Sequence, residues 1–336
     1  MECVTVVGRR GLTALAVAAT LAVGACDGSM GEGGASPTEA GVSPSTGVEW
    51  QQLEPVPTAR TEVAAATDGN RIVAVGGFGS GGGNSGTVEI FDLESGTWAG
   101  GQALPHPVDH AMAVSAGVTI LVLGGYTAER LPSDRAFALR EDGWEELPRM
   151  PEPRAAGGAA VVDGIVYVAG GVGPFGLAES VMVFDPEAVE WRESLLGPPT
   201  PREHLGVAAH DGLLYVVGGR TGGIGSNLAA AEALDPSSGT WTTLPSMPTP
   251  RGGLAAAATE NGFVVAPGGE AETTFEEAEA YDVEAGTWLS LPPLPTPRHG
   301  LGVVAVGTTI HVVAGGPQPG LAFSGAHEAI DLAPLR

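Results

Sequence analysis

The six tryptophans of this 336-residue chain stand at positions 50, 98, 144, 191, 241 and 288, recurring at intervals of 48, 46, 47, 50 and 47 residues. A second marker keeps the same period. Gly-Gly pairs begin at Gly76, Gly124, Gly170, Gly218, Gly268 and Gly315, each 26 or 27 residues after its tryptophan. Two markers sharing one period define an internal repeat, and a chain of such units buries each one against its neighbours. With 53 glycines and 27 prolines, no unit has room for a long helix.

Each unit reads as four short strands. A small-residue run such as Gly253 to Ala258 leads into a polar turn, often Asp-Gly or Asn-Gly (Asp163-Gly164, Asp211-Gly212, Asn261-Gly262), whose residues accept the positive φ of a tight hairpin. A strongly apolar strand follows, such as Ile165 to Ala169 or Leu213 to Val217, and stops at the Gly pair. After a variable loop come a third strand (Thr87 to Asp92, Ser180 to Asp185), a turn, and the Trp strand. Four strands per unit at this period predict an all-β fold, a six-bladed propeller. The last unit ends without a Trp strand, and the first Trp strand has no unit before it. Because WQQLEPVPTAR at the start parallels WLSLPPLPTPR in the fifth unit, the N-terminal strand Trp50 to Leu53 is expected to complete the last blade and remove its free edge.

At this point the sequence resembles the kelch family, from Trp50 to about Leu332. The resemblance rests on the Gly pair, the polar loop after it, the aromatic residue before Asp (Phe91-Asp92, Phe184-Asp185, Tyr281-Asp282) and the Trp. It implies a kelch-type propeller in which the loops after the Gly pairs and the turns entering the innermost strands share one face around a central channel. Those turns carry Arg60, Arg154, Arg202, Arg251 and Arg298, with Val108 in the second unit. By resemblance the arginines ring the channel mouth, with His204 and His299 beside them and Phe78, Tyr126, Arg220 and Glu270 opening the following loops. Clustered guanidinium groups grip carboxylates in paired bonds and would favour an anionic ligand. The competing reading has each Arg bonding carbonyls or acids of the blades, and the tryptophans packing between blades.

Composition removes other chemistries. All 15 basic residues are Arg, against 39 Asp plus Glu, for a formal charge of -24. Such a field repels nucleic acid, and the absence of Lys excludes a GxxxxGK[ST] phosphate loop and any Schiff base. No catalytic residue, cofactor or metal site is assigned. His204 and His210 should lie at opposite ends of one inner strand, and the acidic run Glu270, Glu272, Glu276, Glu277, Glu279 and Asp282 reads as a solvated face rather than a Ca²⁺ site. The galactose oxidase branch of kelch-like propellers needs a thiol, which the propeller lacks.

Arg9 and Arg10 precede an apolar run from Leu12 to Val23, and Val23-Gly24-Ala25-Cys26 resembles the lipobox of bacterial lipoproteins. Residues 1–25 are thus expected to be a signal peptide, with Cys26 the lipidated first residue. Residues 26–48, rich in Gly, Ser, Pro and Thr, read as a flexible tether, and 49–336 as the propeller. The expected protein is exported and lipid-anchored, on the outer side of the cytoplasmic membrane or in the cell envelope. It would touch the membrane through its anchor only and present a loop face to a protein, peptide or glycan. The alternative is an enzyme resembling the six-bladed kelch enzymes that interconvert sialic acid anomers.

Overall fold

In a computed structural model, residues 47–336 are described; the expected signal peptide, Cys26 and nearly all of the expected tether lie outside them. The apolar second strand of each repeat forms the spine of a four-stranded antiparallel blade. Blade 1 comprises Ala64–Thr67, Arg71–Val75, Val88–Asp92 and Thr97–Gly100. Blade 2 comprises Met112–Ala116, Thr119–Leu123, Ala136–Arg140 and Gly143–Glu146. Gly158–Val162, Ile165–Ala169, Ser180–Asp185 and Glu190–Leu196 make blade 3, and Gly206–His210, Leu213–Val217, Ala231–Asp235 and Thr240–Thr243 make blade 4. Blade 5 follows with Ala257–Ala258, Phe263–Pro267, Ala278–Asp282 and Thr287–Ser290. In blade 6, Gly302–Val306, Thr309–Val313 and His327–Asp331 are joined by Trp50–Gln52, with Trp50 opposite Ile330 and Gln52 opposite Glu328.

The core lies between blades. Met112, Leu121 and Leu123 of blade 2 pack with Val166, Val168 and Phe184 of blade 3, and Val304 and Val313 of blade 6 pack with Ile72 and Phe91 of blade 1. Alternating strand residues feed the two faces, so each sheet is apolar on both sides, as a ring of mutually buried blades requires. Every Trp indole donates across an interface to a carbonyl at or just beyond the end of the neighbouring blade's outer strand: Trp98 to Glu54 at 2.9 Å, Trp191 to Pro148 at 2.9 Å, Trp241 to Leu196 at 3.0 Å, Trp288 to Pro245 at 2.8 Å and Trp50 to Pro292 at 2.8 Å, with Trp144 bonding Gln102 in the same way.

The Gly pair is a backbone requirement. Gly218 and Gly219 have φ of 61° and 97°, and a Cβ on Gly219 would sit 2.8 Å from the Glu203 carbonyl oxygen, so side chains are excluded by both conformation and space. In blade 6 the register differs from the sequence reading: Ala314 and Gly315 occupy the two positions, Ala314 with φ of 54°, and Gly316 falls one place later, opposite His299.

Blade 6 also buries two histidines where other blades carry apolar or aromatic residues. His311 Nδ1 lies 3.1 Å from His327 Nε2, and Phe91 and Trp98 stack edge-on against His327. Burial pushes His311 down to about 4; burial, with His311 beside it, pushes His327 down to about 3. Both folded values lie below the unfolded value of about 6.5, so in that window the unfolded chain binds more protons. The neutral pair is therefore tolerated above pH 6.5, and stability falls as pH drops toward 4, by up to about 1.4 kcal/mol per pH unit for each histidine. Denaturant unfolding from pH 7 to 4.5 should lose less stability in H311V/H327V than in the wild type; parallel losses would place the acid sensitivity elsewhere.

Candidate functional site

The turn entering each innermost strand places three consecutive residues in three different roles. The first is the arginine of the repeat, and all five, Arg60, Arg154, Arg202, Arg251 and Arg298, are 0% exposed. They do not line the mouth as free cations, which corrects the expectation drawn from the resemblance. Each guanidinium folds back into its own blade. Arg251 donates to the carbonyls of Gly268 and Glu277, both at 2.7 Å, and pairs with Glu279 at 2.7 Å. Arg60 pairs with Glu89 at 2.8 Å, Arg202 with Glu232 at 2.6 Å, and Arg298 with Glu328. Burial lowers the pKa of each of these guanidiniums, and the partner Glu opposes the shift. Donors so engaged cannot hold an external anion, so the sialic acid alternative loses these five arginines as ligand groups.

Of the partner glutamates only Glu279 was singled out in the sequence, as part of a solvated acidic face and not as an arginine partner, although the pattern was present. Blade 2 lacks both members, with Val108 and Phe137 in their places within one apolar cluster. Blade 3 keeps Arg154 but has Met182 at the glutamate position; Glu152, two residues before the arginine, supplies the carboxylate at 3.1 Å. In blades 1, 4 and 6 that earlier position is a Thr whose hydroxyl bonds the pairing glutamate: Thr58 to Glu89 at 2.8 Å, Thr200 to Glu232 at 3.0 Å and Thr296 to Glu328 at 2.7 Å.

The second residue of the turn bridges to the loop after the Gly pair: Thr61 to Phe78, Asp109 to Tyr126, Glu203 to Arg220, Gly252 to Glu270. The third residue lies nearest the axis. Glu62, His110, Ala156, His204, Gly253 and Gly300 all have left-handed φ, between 50° and 73°, and their backbones form a closed ring of hydrogen bonds. The amides of His110, Ala156, His204, Gly253, Gly300 and Val63 donate in turn to the carbonyls of Glu62, His110, Ala156, His204, Gly253 and Gly300, at 2.8 to 3.2 Å. Four non-glycine residues held at positive φ store strain of the kind found at functional sites.

Side chains from these last two positions and from the loops build a charged collar. Arg130 reaches Asp109 at 2.9 Å, and Asp109 contacts His110 Nδ1. His110 Nε2 is 3.1 Å from Glu62, whose other oxygen is 3.1 Å from His299 Nδ1. His299 is 3.4 Å from Glu270, Glu270 pairs with Arg220 at 2.9 Å, and Arg220 reaches Glu203, itself 3.4 Å from His204. Burial works against the Glu62 carboxylate, yet His110, His299 and His204 hold it well below the usual range. Burial would lower His299, but Glu62 and Glu270 raise it; in His204 burial prevails over Glu203 and lowers it. Phe78 and Tyr126 flank His110, with the Arg130 guanidinium 4.6 Å above the Tyr126 ring. Burial, with Glu203 nearby, pushes the Tyr126 phenol up to about 12.

Of the residues singled out in the sequence, His204, His299, Arg220, Glu270, Phe78 and Tyr126 thus meet at the mouth. Glu62, Asp109, His110, Arg130 and Glu203 complete the collar and had no sequence motif of their own. His204 and His210 remain at opposite ends of one strand, but His204 gathers instead with His110 and Glu62, against the expectation that no ligand set exists. The acidic run does not converge: Glu270 faces Arg220, Glu279 faces Arg251 and Asp282 faces Arg336. Glu62, His110 and His204 bound a cavity of about 140 Å³ whose other walls are small and apolar residues at the innermost strands and their entries, Met112, Leu205, Leu254 and Leu301 among them.

Residues 150–316 match the KLHDC2/KLHL20/DRC7 Kelch-repeats domain family, and residues 59–102 match the Kelch motif. The chain is a kelch-repeat protein. Among relatives, it is 31% identical over 138 residues to Kelch-like protein 35 of Mus musculus, 41% of this chain and 23% of that one. It is 35% identical over 104 residues to the F-box/kelch-repeat protein At5g03020 of Arabidopsis thaliana, 30% of this chain and 29% of that one. With Kelch-like protein terF of Aspergillus terreus (strain NIH 2624 / FGSC A1156) it shares 31% identity over 147 residues, 40% of this chain and 31% of that one. The matched part spans only about a quarter to a third of each relative's length.

The kelch arginine is a stabilising tie in this chain, and blade 2 indicates how it can be replaced. Arg251→Val strands Glu279 and removes the donors to the buried carbonyls of Gly268 and Ala266, and should cost about 3–5 kcal/mol. Installing the blade 2 pair, R251V/E279F, should recover stability relative to R251V, because two apolar groups remove the unpaired charge. Denaturant unfolding of both variants decides it; a double variant as weak as the sum of the single changes would show that the pair does not act as a unit.

Proposed function

We propose that this kelch propeller is a protein-interaction module, exported and held at the cell envelope by a lipid on Cys26. The observation that carries the docking reading is the apolar display on the mouth face. Loops after the Gly-pair turns of blades 2, 3 and 6 expose Leu131, Phe175 and Leu321 at 62%, 102% and 64%. Bare aliphatic and aromatic tips around a polar centre fit a protein or peptide with apolar contacts better than a glycan. The collar sets four carboxylates, Glu62, Asp109, Glu203 and Glu270, against two guanidiniums, Arg130 and Arg220. That balance favours a partner presenting a basic group at the mouth, in place of the anionic ligand expected from the arginines. The kelch matches support an interaction module, and the Val23 to Cys26 sequence supports the anchor.

A photo-crosslinking residue at Phe175, in intact cells, should give a discrete protein adduct that L131S/L321S abolishes, whereas one at Val118, in a turn at the opposite end of blade 2, should not. Cys26→Ala should move the chain from the detergent phase to the aqueous phase. Identical adducts from both sites would end the docking reading, and unchanged partitioning would end the anchor.

A further inference from the structure

We propose that Glu62, His110 and His204 form a binding site for one first-row divalent cation, Zn²⁺ being the cation to test, at the channel axis. The donor atoms of the three lie within 4.8 Å of one another, and His110 Nε2 stands 3.1 Å from Glu62 Oε2. An ion between them needs bonds of about 2.0–2.2 Å to imidazole nitrogen and carboxylate oxygen, a spacing these donors reach by side-chain adjustments of about an ångström. Two imidazoles and one carboxylate suit zinc and its neighbours in the first row rather than calcium or magnesium, which take oxygen ligands.

Orientation separates this group from a chance cluster. Each imidazole has a carboxylate against its other nitrogen: Asp109 at His110 Nδ1, and Glu203 Oε2 3.4 Å from His204 Nδ1. Both carboxylates are held in turn by a guanidinium, Asp109 by Arg130 at 2.9 Å and Glu203 by Arg220 at 3.3 Å. A carboxylate hydrogen-bonded to one ring nitrogen fixes the tautomer and ring direction of a metal-ligating histidine; the Asp109 bond does this for His110 and leaves its Nε2 towards Glu62, while at His204 the Glu203 carboxylate is near Nδ1 without a hydrogen bond. Glu62 Oε1 faces His299 Nδ1 at 3.1 Å and Oε2 faces His110 Nε2 at 3.1 Å, so Oε2 is the oxygen nearer the other ligand.

The backbone ring contributes as well. All three ligands stand at the axial position of their turns, held at φ of 50° to 55° by the closed circle of amide bonds. The remaining positions of the circle are Ala156, Gly253 and Gly300, whose small side chains leave the coordination sphere open to a water or to a donor from a partner. The site stands independently of the docking reading, since it needs nothing from the loop tips.

The test uses the full chain, treated with chelator and titrated with Zn²⁺ and with Co²⁺. The wild type should bind one equivalent, melt at a higher temperature, and give the visible absorption of low-coordinate Co²⁺. Glu62→Gln, His110→Asn and His204→Asn should each weaken binding at least tenfold, Asn being chosen because it accepts left-handed φ. Asp109→Asn should weaken it by about 10–100-fold, through His110 alone, and His106→Ala should leave it unchanged. A readout that needs no variant is protection: Zn²⁺ should shield His110 and His204 of the wild type from carbethoxylation. Absence of saturable Zn²⁺ binding by the wild type, or binding that survives H110N/H204N, would overturn the site.

Discussion

Six times around the ring, the amide of the second residue of the Gly-pair turn donates to the carbonyl at the arginine position of the next blade. Gly77 donates to Val108, Gly125 to Arg154, Gly171 to Arg202, Gly219 to Arg251, Gly269 to Arg298 and Gly315 to Arg60, all at 2.8 or 2.9 Å. This bond sets the distance between blades and explains why a side chain cannot stand at the donor. It also gives the arginine two allegiances, its carbonyl reaching the blade before it and its guanidinium its own. With that residue fixed, the next two in the chain have no freedom left, and they bridge the loop and form the axial circle. The collar geometry is thus set by backbone bonds, and the chemistry of the mouth can vary by changing one side chain per blade.

Much of this was legible from spacing. Tryptophan and glycine recur because an indole donor and a turn without Cβ are needed once per blade, so six bladed units could be read directly. The arginines were located correctly in sequence, but two readings, a ring at the mouth and a tie within the blade, stood side by side, because a lone repeated Arg does not reveal which way it folds. The answer lay in blades that deviate: Val108 goes with Phe137, and Glu152 goes with Met182. The collar was harder. Glu62, His110 and His204 occupy one position of three different repeats, and although His204 stands out by following an arginine turn, nothing local marks the other two or joins the three. Only the ring symmetry, which brings position-matched residues together on the axis, gives the column Glu, His, Ala, His, Gly, Gly a meaning.

The charge of -24 acquires a distribution in the structure. Among the described residues every arginine has a carboxylate partner, five of them in the interior and the rest on the surface or at the collar. No unpaired cation remains there to offset the surplus acids. The outer surface therefore carries a field of one sign, which suppresses association with like-charged copies and polyanions and draws cations toward the mouth.

Pairing of Trp50 with Ile330 has a consequence for the order in which the molecule can be made. The first strand of the propeller to leave the ribosome is the one whose ladder partner is the last of its strands to do so, so blade 6 stays incomplete while the other five already have their strands. Contacts between chain ends are the slowest class to form, because loop closure must precede any return in pairing energy. Until then the third strand of blade 6 presents an open edge, and a truncated or stalled chain would carry that edge exposed. Completion of the last blade is thus a built-in report that every strand of the propeller has arrived.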